Sequence, residues 1–209
     1  MKKILGLTCL ILLIDQASKI YVKTHFLLNN RESEVKVFKW FYINYVENPG
    51  MAYGFQWGGF FGKIALSLLR LVLIAFMAYY INKWSKRTKS WLFIVIAGFI
   101  FAGAVGNLID SIFYGVIFDT GTTYHIGDGW KPYSGISKLS FKGYAPLFGG
   151  CVVDMFHFTF FSYIFNVADA AITIGGAFLV GAYIFRPNIF KEIGLYDLKD
   201  KKKPTEEES

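Results

Sequence analysis

Two carboxylates late in the chain stand where carboxylates are costly. Asp154 lies in Gly150-Cys151-Val152-Val153-Asp154-Met155, and Asp169 lies in Phe165-Asn166-Val167-Ala168-Asp169-Ala170. An ionisable group within hydrocarbon costs at least about 2.5–3.5 kcal/mol on insertion scales, so it marks a site that uses it. Two acids brought together can share a proton, one acting as base while the other acts as acid, which is the chemistry of general acid–base hydrolysis. Other polar residues interrupt apolar runs: Asp15 and Lys19 four apart on one helical face, Arg70, Asn107, and Asn166 three residues before Asp169. Plainer roles exist for some of them. Asp15 and Lys19 can form a structural ion pair in the favourable acid-before-base order, and Asn166 can simply satisfy backbone groups. His25, His125 and His157 have no metal-ligand spacing, so no metal is expected.

The elements that must position these residues are apolar helices. Hydrophobic residues make up 54% of the 209-residue chain, and the mean hydropathy is +0.40, which excludes an ordinary soluble domain. Four segments, about 4–21, 64–81, 91–109 and 164–185, approach the ~20 residues that cross a bilayer as a helix. The expected fold is an all-α membrane protein of four transmembrane helices. It carries a small β element on the outer side, read from the β-forming run Val35 to Asn44, and extended outer loops. Residues 1–190 form one integral-membrane domain, and 191–209 form a charged tail. Lys2 and Lys3, the run Lys83, Lys86, Arg87 and Lys89, and the lysines after Arg186 place both termini and the middle loop in the cytoplasm. That bias accounts for the net charge of +7, so no nucleic-acid partner is needed. The start of the chain, although it begins like a signal peptide, continues apolar past Cys9 and is expected to be retained as the first span. Cys9 and Cys151 are expected to remain unpaired. Trp57, Phe60 and Phe61 read as an interfacial belt. Gly98, Ala102 and Gly106 form a small-residue stripe for close helix packing.

At ~1.5 Å per residue, Asp15 lies ~18 Å from Lys3, Lys19 ~24 Å from it, Asn107 ~24 Å from Trp91, and Asp169 ~25 Å from Arg186. Arg70 lies ~16 Å from Ile81 by the same rise. Polar residues from four helices therefore fall in one slab in the outer half of the bilayer, as a shared site requires.

Five blocks, in order, carry a resemblance: Asp15-Gln16-Ala17-Ser18-Lys19; Asn48-Pro49-Gly50-Met51-Ala52-Tyr53-Gly54; Gly103-Ala104-Val105-Gly106-Asn107-Leu108-Ile109-Asp110; Val152-Val153-Asp154-Met155; and Phe165-Asn166-Val167-Ala168-Asp169. Over about residues 4–186 the chain resembles the bacterial lipoprotein signal peptidases (signal peptidase II), which are membrane aspartyl proteases. The resemblance implies a catalytic dyad of Asp154 and Asp169, with Asp15, Lys19, Asn48, Gly50, Asn107, Asp110, Asn166 and Ala168 supporting the site. It also implies an inner-membrane enzyme with a periplasmic β element and a site near the outer leaflet. Its substrate would be a diacylglyceryl-modified prolipoprotein, cut just before the lipidated cysteine, and its other partners membrane lipids. A monomer is expected.

Two features depart from the family pattern. The arginine expected after Asp110 is replaced by Ser111, and Arg70 is expected to supply the guanidinium by pairing with Asp15 or Asp110. The family spacing from Asp110 lands on Asp119 rather than Asp154. Asp119 leads into a polar Gly/Thr loop, so an insertion over roughly 120–150 is inferred to have moved the motif downstream, and Asp154 is preferred. The inserted loop, with the first outer loop, is expected to cover the site. A small proton-coupled transporter is the rival class, but such sites favour the midplane and repeat symmetry, and no repeat is present.

Overall fold

A computed structural model describes residues 1–30, 33–50 and 59–195. Trp57, the whole Met51–Gly54 stretch of the second block and residues 196–209 of the tail lie outside the described residues. The chain runs α1 (Lys2–His25), β1 (Val35–Phe38), β2 (Phe41–Asn48), α2 (Gly59–Ser85) and α3 (Trp91–Ile109). A π-helical turn, Asp110–Tyr114, then leads into a short turn α4 (Gly115–Ile117). After it come β3 (Thr123–His125), β4 (Gly129–Lys131), β5 (Val152–Phe158), β6 (Ile164–Phe165), α5 (Val167–Phe185) and α6 (Asn188–Glu192).

Four of these helical stretches are long and apolar enough to cross a bilayer, with α3 continuing through the π turn to Ile117. The protein is a multi-pass membrane protein. Helix α3 has the bounds expected for the third span, α1 and α2 run longer at both ends, and α5 starts later than expected for a clear reason. Asn166 accepts from the Asp169 amide while the Asp169 side chain accepts from the Asn166 amide, a reciprocal capping box. That cap starts α5 at Val167, and Ile164–Phe165 joins the sheet instead.

The all-α expectation holds only for the spans. Strands β1-β2-β5-β6 form an antiparallel sheet, and β3 and β4 form a separate hairpin. Strand β5 escaped notice because Val152, Val153, Asp154 and Met155 are all buried, so the half-buried alternation of an exposed strand is missing. In this sheet Val46 pairs with Asp154, Glu47 with Val153 and Asn48 with Val152. Side chains alternate between faces with period two. Asn48, Asp154 and Phe158 therefore share the front, and Tyr45, Glu47, Val153 and Met155 share the back.

The small-residue stripe on α3 packs as expected. A Cβ on Gly98 would lie 2.8 Å from Leu7 of α1, and one on Gly106 would lie 2.7 Å from Asp15 Oδ2 and 3.0 Å from Ala168 Cβ. Glycine thus lets α3 approach both α1 and α5 closely enough for their polar groups to meet.

Candidate active site

Lys19 is the hub. Its ammonium group lies 3.0 Å from Asp15 Oδ2 and 2.8 Å from Asp110 Oδ2 with all three side chains fully buried, and it donates to Asn107 Oδ1 at 3.0 Å. Gln16 bridges the same acids, donating to Asp15 Oδ2 at 3.0 Å and Asp110 Oδ1 at 2.9 Å. Tyr114 donates to Gln16 Oε1 at 3.1 Å. The remaining hydrogen bonds of the two acids reach the backbone just ahead of the dyad. Asp15 Oδ1 accepts from the Ala168 amide at 2.8 Å, and Asp110 Oδ2 accepts from the Val153 amide at 3.3 Å. Each supporting acid therefore grips the residue immediately before Asp169 or Asp154.

Two asparagines carry the connection to the dyad itself. Asn107 Nδ2 donates to Asp169 Oδ1 at 2.7 Å. Asn166 Nδ2 donates to Asp154 Oδ1 at 2.6 Å, with Asn107 Oδ1 at 3.1 Å and Val153 O at 3.2 Å also in range. Both aspartates line a cleft of about 800 Å³, together with Asn48, Thr173 and the rings of Phe158, Phe160, Phe161, Tyr163 and Phe165. Burial first, and then the nearby charge of Asp169, push the Asp154 carboxyl well above the usual carboxylate range. Asn48 accepts from the Gly50 amide at 2.9 Å. Gly50 has φ +104 with Leu66 close by, a conformation that favours glycine. Among the described residues, His, Cys, Asp and Glu side chains form no group of three placed to hold a metal.

Arg70 does not pair with Asp15 or Asp110. Lys19 and Gln16 already occupy both acids, and the carboxylate whose charge acts on Arg70 is Asp169. Asp119 does not line the cleft. Its Oδ1 accepts from the Lys138 amide at 2.7 Å and from the Ser137 and Thr120 hydroxyls at 3.2 Å each. Those bonds, the Lys138 amide foremost, hold its carboxyl below the ordinary range. Asp119 closes the base of the insertion.

The described residues of that insertion do not cover the cleft; none lines it. The insertion packs on the back of the sheet. Lys23, one turn beyond Lys19, is fully buried and ion-paired with Glu47. It also donates to Tyr45 Oη at 3.2 Å and to Thr120 O at 3.1 Å. Glu47 Oε2 accepts from the Thr122 amide at 2.5 Å, and the Tyr45 and Tyr133 hydroxyls are 3.0 Å apart. Burial raises both phenols, Tyr133 to about 12. On α2, Lys63 donates to Pro49 O at 3.2 Å and lies 5.8 Å from the Trp130 ring. Gln16, Lys23, Glu47, Lys63 and Tyr114 were absent from the sequence-derived site. The i, i+4 spacing of Lys19 and Lys23 was the one available signal. Both cysteines are free, and burial pushes the Cys151 thiol to about 12.

Residues 7–185 match the family model for signal peptidase (SPase) II. The chain is 39% identical over 204 residues to the lipoprotein signal peptidase of Porphyromonas gingivalis (strain W83), covering 87% of this chain and 83% of that protein. It is 32% identical over 184 residues to the lipoprotein signal peptidase of Amoebophilus asiaticus, covering 85% and 76% respectively. The fold resembles a solved bacterial membrane enzyme, determined by the in meso method at 1.9 Å resolution, with a TM-score of 0.60 and 20% identity over 89% of this chain and 95% of that one. The chain belongs to the signal peptidase II family.

Proposed function

We propose that this protein is an aspartic endopeptidase that removes the signal peptide from diacylglyceryl-modified prolipoproteins, cutting before the lipidated cysteine. The observation that carries this reading is the joint exposure of Asp154 and Asp169 to one aromatic cleft, each fixed by an asparagine amide. Burial of Asp154 favours its protonated form, so Asp154 holds the shared proton. Asp169 accepts at both oxygens, from Asn107 Nδ2 at 2.7 Å and from the Asn166 amide at 3.3 Å, the pattern of an acceptor-only carboxylate. In the reaction Asp169 takes a proton from water as the water attacks the scissile carbonyl. Asp154 donates its proton to the carbonyl oxygen, and protonation of the departing amine completes peptide-bond cleavage. Asn48 sits at the cleft edge to orient the substrate backbone, and Arg70 directs positive charge toward Asp169.

The proposed setting is the bacterial inner membrane, with both termini cytoplasmic and the sheet on the periplasmic side, where a substrate anchored in the outer leaflet presents its scissile bond. Residues 1–190 form the peptidase domain, acting as a monomer without a cofactor, and 191–209 form a cytoplasmic tail. The test is incubation of purified protein with a lipid-modified prolipoprotein, followed by a size shift. Asp154→Asn and Asp169→Asn should each lower cleavage by about 10²–10⁴-fold, the range of general acid–base catalysis. Full activity in either variant would overturn the dyad, and substrate-independent proton transport without cleavage would favour the transporter class.

A further inference from the structure

Because the insertion leaves the cleft alone, its exposed apolar side chains need another account. After Lys138 the chain turns back and runs down the side of the α3 span. Amides of Ser140 and Phe141 donate to Ile117 O at 3.1 and 3.4 Å, and those of Tyr144 and Ala145 donate to Gly115 O at 2.8 and 3.0 Å. The Phe148 amide donates to Ile112 O at 3.1 Å. Each bond sets the height of a returning residue against a helix of known rise. At ~1.5 Å per residue Ile112 stands ~32 Å and Ile117 ~39 Å from Trp91. Hydrocarbon spans ~30 Å and the whole bilayer ~40–45 Å. Trp91, 68% exposed at the opposite end, is the ring type that marks an interface. The return limb therefore occupies the zone between the hydrocarbon edge and the lipid headgroups.

The side chains on that limb suit the zone. Leu139, Phe141 and Leu147 are 51%, 76% and 52% exposed, and Phe113 is 47% exposed on the helix at the same level. Lys138 and Lys142 are exposed beside them. Exposed apolar groups continuous with a lipid-facing helix and flanked by lysines are the composition of an interfacial anchor. We propose that residues 138–148 form such an anchor, with Leu139, Phe141 and Leu147 entering the leaflet and Lys138 and Lys142 meeting lipid phosphates. Lys23, paired with Glu47 on the back of the sheet, lies 5.2 Å from the Tyr144 ring of the anchor, so the lipid surface steadies the face opposite the cleft. This inference rests on the chain crossing a bilayer and not on the peptidase chemistry.

The test uses the full chain in nanodiscs of phosphatidylcholine with phosphatidylglycerol. An environment-sensitive nitrobenzoxadiazole label is attached at Phe141→Cys or Leu147→Cys in a Cys9→Ser/Cys151→Ala background. Ile126→Cys, at the tip of the β3–β4 hairpin and 97% exposed, serves as the aqueous control. Spin-labelled lipid should quench the 141 and 147 labels about threefold more than the 126 label, as expected for groups buried within the headgroup boundary. Lys138→Glu/Lys142→Glu should reduce that quenching only where anionic lipid is present. Equal quenching at 141 and 126 overturns the anchor. So does a blue-shifted 141 label that lipid fails to quench, since that would place a protein there. Neither readout depends on cleavage.

Discussion

One helical turn separates Lys19 from Lys23 on α1, and both side chains are fully buried. Lys19 meets two carboxylates, Asp15 and Asp110. Lys23 meets one, Glu47, together with a hydroxyl, a carbonyl and the rings of Tyr45, Phe118, Tyr133 and Tyr144 at 5.0–5.9 Å. The Lys19 cluster therefore keeps an excess negative charge, and it needs the donors Gln16, Ala168 N–H and Val153 N–H to hold it. Those donors are also what fix the backbone ahead of Asp169 and Asp154. The Lys23 cluster is balanced, mostly aromatic, and tied to the sheet back and the insertion. The same residue type thus holds the backbone beside the two cleft carboxylates at one turn and fastens residues 120–122 to the sheet back at the next.

Lys19→Met should break the first cluster completely. Removing one partner of a buried ionic network leaves uncompensated charge and costs about 3–5 kcal/mol, and here two acids are left without a cation. The expected outcome is a large fall in the thermal midpoint in detergent together with loss of cleavage. The balanced cluster predicts something milder. Lys23→Met/Glu47→Leu removes both charges at once, leaving chiefly the Thr122 amide unpaired, at about 1–3 kcal/mol. Cleavage in detergent should persist while protease digestion within 119–150 accelerates. If this double variant lost cleavage as fully as Lys19→Met, the division of labour between the two lysines would be wrong.

Much of this was legible in the sequence, and what was not has physical reasons. Asp15, Lys19, Arg70, Asn107 and Asp169 could be placed in one slab because a helix converts residue number into height at a fixed rise. The supporting roles of Asp15 and Asp110 were legible only as a resemblance, since nothing in local spacing shows that their oxygens reach the amides of Ala168 and Val153 across the bundle. Strand β5 was hidden because burial on both faces erases alternation. Glu47 was hidden because its partner Lys23 lies on another element. The side of the sheet against which residues 120–150 pack depended on a pairing register that places Glu47 and Asp154 on opposite faces.

The link from the Lys19 cluster to the dyad can be sharpened at Asn166. Its amide donates to Asp154 Oδ1 at 2.6 Å, which favours the ionised carboxyl and offsets part of the upward push of burial. Asn166→Ser keeps an N-cap oxygen for α5 and loses that amide. Asp154 should then hold its proton to higher pH. The alkaline limb of the kcat/KM profile, set by loss of that proton, should move upward. An unchanged alkaline limb with reduced kcat would mean that Asn166 only caps the helix.

The smallest effect is expected at Asp119, and its smallness is informative. Asp119 satisfies the Lys138 amide and the Ser137 hydroxyl at the base of the insertion, on the Lys23 side of the molecule, and lines no part of the cleft. Asp119→Asn keeps an acceptor oxygen for both donors, so cleavage should stay within about twofold of the parent, the scale of a surface change of ~0.5 kcal/mol. Its carboxyl is held low by those donors, so whatever stability its charge contributes is present above the ordinary aspartate range and lost as pH falls through its lowered value. The parent and Asp119→Asn should therefore converge in thermal midpoint at acid pH and differ only above it. Loss of cleavage in Asp119→Asn beside an active Asp154→Asn would exchange the two aspartates' roles, and with them the two sides of the sheet.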